Sequence, residues 1–116
     1  MYMKTEQLDN GLKRVALSGR FDLPSVVEQG DAFTAFTTGD DSGVIVDLSG
    51  VDFMASVAIR LLITCAKAKA ARGGKFVMHS ADPLILDALD VSGITQLIPI
   101  LPDYPAAEAA VRSKSP

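Results

Sequence analysis

At 116 residues, of which 48% are apolar, the chain has room for one domain and enough apolar surface to build a core without disulfides or a structural metal. A net charge of −3 argues against a nucleic-acid partner, because no basic excess is available to neutralise a phosphate backbone. Cys65 has no second cysteine to pair with and sits in an apolar run, which reads as a buried thiol in a reducing compartment. The N-terminal residues lack a basic patch followed by an apolar stretch, and no segment approaches the roughly 18 apolar residues that span a bilayer, so a cytoplasmic protein without membrane insertion is expected.

Residues 3–8 and 12–18 read as two short strands joined at Asp9-Asn10-Gly11, because Asn-Gly is a strong hairpin signal. Asp22 then suits the cap of a helix with Pro24 in its first turn and Leu23, Val26, Val27, Phe33 and Phe36 at helical spacing. A polar breaker over 37–43 precedes Val44-Ile45-Val46-Asp47-Leu48, a run apolar enough to be a central strand covered on both faces. Residues 49–55 read as a loop. The following helix is expected over about 56–72, with Ile59, Leu62, Ile63, Ala66 and Ala70 on one face and Arg60, Thr64 and Lys67 on another.

Gly73-Gly74 stops that helix, and residues 75–79 form the next strand. Pro83 opens a helix carrying Leu84, Ile85, Leu86, Ala88 and Leu89, which Gly93 ends. A last strand is expected over 94–101 and a terminal helix over 104–112, so that residues 1–112 form a single domain with a frayed tail at 113–116. Two strands followed by alternating helices and strands predict an α/β fold, a mixed sheet of about five strands with about four helices packed against it.

Few groups could carry catalysis. His79, the one imidazole, closes a strand with no second ligand at metal spacing and reads as a satisfied structural histidine. Gly73-Gly74 follows a helix, the wrong context for a phosphate-cradling loop. Neither an enzyme, a cofactor nor a metal is expected. The informative stretch is the junction from Val44 to Ser56, because partners dock at the carboxyl ends of strands in α/β sheets. Ser56 has two compatible readings there. It can cap the helix with its hydroxyl, and it can accept a phosphate that the helix dipole would favour, with Arg60 one turn away.

The order of four motifs resembles the STAS domain family, named for sulfate transporters and anti-sigma factor antagonists. Gly19 to Asp22 is similar to its G-x-L/F-D turn, and Asp47 to Phe53 to its D-L/F-S-x-V-x-F/Y strand end. Gly73-Gly74 closes a helix before an apolar strand, and Ser92-Gly93-Ile94 leaves another helix, as in that family. The resemblance implies the STAS fold and partner switching, in which the dephosphorylated antagonist binds an anti-sigma factor of the serine-kinase type and phosphorylation releases it. The family's D-S-S/T-G-L acceptor pattern aligns its first serine with Ser56, while Ala55, Val57, Ala58 and Ile59 replace the other four positions. The small apolar side chains of Ala55, Val57 and Ala58 suit either a tight contact or the core.

The implied partner surface is Ser49, Gly50, Asp52, Met54, Ala55, Val57, Arg60, Thr64 and Lys67. The alternative is a STAS adaptor or scaffold that is not phosphorylated, for example a subunit of a lipid-transport ABC complex. Self-association is left open.

Overall fold

The computed structural model of the chain describes residues 1–8 and 10–112. Asp9 of the predicted turn and the tail 113–116 lie outside the described residues. The hairpin forms where Asn10-Gly11 predicts it: the Asn10 side-chain oxygen accepts the Leu12 N–H at 3.3 Å and Gly11 takes φ +78°. Strand β1 (Tyr2–Gln7) thereby pairs antiparallel with β2 (Leu12–Phe21), which runs three residues beyond its predicted end.

Helix α1 (Leu23–Thr38) starts as expected, with the Asp22 carboxylate accepting the Ser25 N–H at 3.2 Å and Pro24 in the first turn. Its buried stripe is narrower than the apolar pattern implied. Gly30, Phe33 and Thr37 turn inward, whereas Leu23 and Val27 face solvent because α1 covers only one side of the layer. Strand β3 (Gly43–Met54), helix α2 (Ser56–Ala71), strand β4 (Phe76–His79) and helix α3 (Pro83–Ser92) follow.

The strand predicted over 94–101 is largely replaced by a 3-10 turn, Ile94–Gln96, since the Leu97 and Ile98 N–H groups bond back to Ile94 O. Ladder pairing resumes at Pro99 O, which accepts the Met78 N–H, so only β5 (Ile100–Leu101) remains as strand. Helix α4 (Tyr104–Arg112) has its predicted bounds.

The sheet order is β1-β2-β3-β4-β5, parallel except for β1. One face, with Val15, Leu17, Val44, Val46 and Leu48, packs beneath α1, α2 and α3. The other, with Leu12, Ile45 and Val77, is covered by Ala107 and Val111 of α4. The strand from Val44 to Leu48 is thus enclosed from both sides, as its unbroken apolarity predicts.

Among the described residues, basic side chains enter this core in two places. Lys69, fully buried, takes the inward position that Ala70 was expected to fill; its Nζ donates to Asp40 O at 2.7 Å and lies 3.6 Å from Asp40 Oδ1. Lys13 Nζ donates to Phe36 O at 2.9 Å and lies 3.0 Å from Asp40 Oδ2, so one carboxylate and the carbonyls at the end of α1 serve two ammonium groups. On the opposite face His79, 3% exposed, has Nδ1 2.7 Å from Ser80 Oγ, but its Nε2 has no hydrogen-bond partner among the described residues. The expectation of a satisfied histidine therefore holds for one ring nitrogen only. Cys65 is buried, as its sequence context implied, with Sγ 3.5 Å from Thr34 Oγ1.

Candidate functional site

Residues 49–54, expected in a loop, are strand. Ala16 pairs with Asp47 and Ser18 with Gly50; then Gly19 pairs with Val51 and Arg20 with Phe53. At each step β3 advances one residue more than β2, which makes two bulges. The added residues shift the alternation so that Leu48, Val51 and Met54 all reach the core while Ser49, Gly50, Asp52 and Phe53 stay exposed. A buried residue at every third position hides the strand from a search for period two.

Asp47 anchors the first bulge by accepting the Ser49 N–H at 2.9 Å through Oδ1 and an Arg14 N–H at 3.0 Å through Oδ2. Burial acts to raise the Asp47 carboxyl, but the Ser49 hydrogen bonds, with His79 and Arg14 nearby, outweigh it and hold the group below its usual range.

The end of β3 sets the start of α2. The Ala55 N–H donates to Phe21 O at 2.9 Å, and the Ala58 and Ile59 N–H groups return to Ala55 O. Ala55, extended at φ −83° and ψ 161°, is therefore the N-cap, and no side chain caps the helix. This corrects the capping role expected of Ser56, which lies one position inside, exposed. By contrast, Asp22 and Asp82 cap α1 and α3 with their carboxylates.

Ser56 borders an apolar groove of about 460 Å³. Met54, Ser56 and Ile59 form one wall, and Asp87, Ala88 and Val91 of α3 form the other. Val91 is 89% exposed. Met54, among the residues expected to meet a partner, is only 8% exposed and contributes to the groove from within the core.

The other expected residues disperse around this point. Ala55 and Val57 are half-buried and Ala58 is wholly core, which decides the question of contact or packing for Ala58 alone. Arg60, Thr64 and Lys67 are exposed along the outer side of α2 and do not line the groove. Ser49 and Gly50 belong to a separate hollow of about 240 Å³ with Tyr2, Lys4 and Ser18. Asp52 is exposed beside Phe53, whose ring carries the Arg20 guanidinium at 4.1 Å.

Sequence reasoning missed the α3 wall. A signal for α3 was present: Leu84, Ile85, Leu86, Ala88, Leu89 and Val91 are too many apolar residues for one face of a surface helix, so some must stand in solvent. Among the described residues no cluster of His, Cys, Asp and Glu is arranged to hold a metal, and no helix is long and apolar enough to cross a membrane.

The family model described as "Mlab, STAS domain" matches residues 5–101. The chain belongs to the STAS domain family. Over 73 residues it is 26% identical to BtrV of Bordetella bronchiseptica, which carries the name of an anti-sigma factor antagonist; the match spans 63% of this chain and 63% of that relative. The STAS fold is shared with an anti-sigma factor antagonist domain protein from Planctomyces limnophilus, with a TM-score of 0.86 at 23% identity over 96% of this chain and 98% of the other. It is shared equally with an anti-sigma factor antagonist from Mycobacterium paratuberculosis, with a TM-score of 0.85 at 24% identity over 97% and 94%. SpoIIAA, an anti-sigma factor antagonist solved in its unphosphorylated form, superimposes with a TM-score of 0.80 at 16% identity over 99% and 100%. In this STAS domain the bulged end of β3, the uncapped start of α2 and the outer side of α3 meet at Ser56.

Proposed function

We propose that residues 1–112 form a cytoplasmic, non-enzymatic binding module that antagonises an anti-sigma factor of the serine-kinase type, and that phosphate on Ser56 reverses the binding. The docking surface is the groove between Met54, Ser56 and Ile59 on one side and Asp87, Ala88 and Val91 on the other, extended by Arg60 and, further along α2, by Thr64 and Lys67. The observation that carries this reading is the position of Ser56: exposed, at the first turn of a helix with no side-chain cap, on the border of an apolar groove.

A helix start without a side-chain cap leaves N–H groups and the positive end of the dipole directed at a phosphate, which stabilises the modified form. The same dianion beside an apolar contact must shed water when a partner docks, at a cost of several kcal/mol, enough to release a micromolar partner. The family context and the relatives named as anti-sigma factor antagonists support the reading.

The test is capture of the kinase-type anti-sigma factor from the cells that make this chain, with mapping of phosphate on the peptide containing Ser56. Ser56→Ala should retain capture and Ser56→Asp should abolish it. The Asp variant should be folded, since a carboxylate at this helix position is favourable. Capture that survives Ser56→Asp would remove the switch and keep the binding module. Stoichiometric recovery of a transport ATPase with no phosphate on Ser56 would replace the whole reading with the adaptor alternative.

A further inference from the structure

Among the described residues strand β1 has a neighbour on one side only, since β2 pairs with it and no other described strand lies beyond it. Just past the strand the Leu8 N–H donates to Leu12 O at 2.8 Å. Backbone groups alternate in direction along an antiparallel ladder, so Tyr2, Lys4 and Glu6 also turn their N–H and C=O toward β2. Met3, Thr5 and Gln7 turn theirs outward. The register is unbroken from Tyr2 opposite Ser18 to Gln7 opposite Lys13, and neither a proline nor a bulge blunts the edge. At its beginning Gln29 Nε2 donates to Met1 O at 2.7 Å, so α1 closes the edge there and residues 3–7 are what a further strand could meet.

We propose that this edge pairs with the same edge of a second copy of the chain, antiparallel about a two-fold axis at Thr5. In that register Thr5 faces Thr5, Met3 faces Gln7, and Lys4 faces Glu6 twice. The outward backbone groups of Met3, Thr5 and Gln7 fall on hydrogen-bonded positions, giving about six main-chain bonds across the axis. Each Lys4 and Glu6 lie on the same face of the strand, so the two facing pairs are attractive. Neighbouring registers are selected against by the same charges: an axis at Lys4 sets ammonium against ammonium, one at Glu6 sets carboxylate against carboxylate, and a parallel pairing in register does both. No residue of β1 lines the groove at Ser56, so the paired sheet leaves that groove open.

Sedimentation velocity over a rising concentration series of the full chain tests this, with amide exchange read by NMR. A dimer should form on concentration, with protection rising at Met3, Thr5 and Gln7 while Tyr2, Lys4 and Glu6 stay protected throughout. Lys4→Glu and Glu6→Lys should each weaken the dimer at least tenfold. Mixed in equal amounts, the two variants should pair, because every Lys is again opposite a Glu. Thr5→Pro removes an N–H that β2 does not use and should leave the fold intact while abolishing the dimer. A chain that stays monomeric at every concentration, a dimer indifferent to these variants, or charge variants that fail to pair on mixing would overturn the proposal.

Discussion

A Cβ placed on Gly50 would stand 2.6 Å from the Cβ of Ser18 and 3.1 Å from Leu17 O, so β2 and β3 close on one another at the first bulge only because residue 50 has no side chain. Neither obstacle is the end of a flexible chain. Gly50→Ala should therefore force the strands apart and destabilise the fold by about 2 kcal/mol, read as a lower urea midpoint. An unchanged midpoint would show that the bulge accommodates a methyl group and is not fixed by this contact.

The carboxylate of Asp40 stands between Lys13 and Lys69. The Lys13 hydrogen bond first, then the Ser42 N–H, hold its carboxyl far below the usual carboxylate range, while burial pushes the Lys69 ammonium down. Asp40→Asn leaves two buried ammonium groups with carbonyls alone and should lower the urea midpoint. Adding Lys69→Met to that variant should recover part of the loss, since an apolar side chain of similar length removes the unbalanced charge. Because the Asp40 pKa is lowered from 3.8, its contribution is present above that value and is lost as pH falls below it.

Val91 stands almost wholly in solvent on the α3 wall of the groove. Val91→Asp should change stability by no more than about 0.5 kcal/mol yet weaken anti-sigma factor binding at least ~10-fold in calorimetry, by setting a charge against the docking partner. Val27→Asp is the control, a valine 76% exposed on α1 away from the groove. Equal effects of the two substitutions would move the docking surface elsewhere.

Burial lowers the His79 pKa, and the opposing pull of Asp47 does not reverse it. The unfolded chain, with the imidazole at about 6.5, then binds a proton that the folded chain refuses. Stability should be full well above that value and decline as pH falls through it. His79→Asn should flatten this slope in thermal melts. A wild-type melt with no slope around that value would mean that His79 protonates freely in the folded state.

Local signals in the chain were sufficient for most of the architecture. Asn10-Gly11, the Asp22 cap with Pro24, Gly73-Gly74 and Gly93 punctuate the chain where the structure turns, because each acts through its own backbone or its immediate neighbours. The continuous apolarity from Val44 to Leu48 correctly gave a strand enclosed on both sides. Residues 49–54 failed for a definite reason: two bulges exist only in relation to β2, so the spacing of Leu48, Val51 and Met54 matched no regular template. The apolar run over 94–101 yields only the short β5 because apolar residues such as Ile94 and Ile98 enter the core from a turn as readily as from a strand.

By itself, the sequence determined the α/β class, the order of its elements, the STAS kinship and the presence of Ser56 at the start of α2, since all of these rest on neighbouring residues or on motifs in sequence order. Only the tertiary structure decided which residues stand beside that serine. It made Ala55 the cap, put Ala58 in the core, separated Ser49 and Gly50 from the groove, and brought up Asp87, Ala88 and Val91 from a helix some thirty residues away. Sheet pairing and the packing of α3 set those neighbours, and neither is written in any local stretch of the chain.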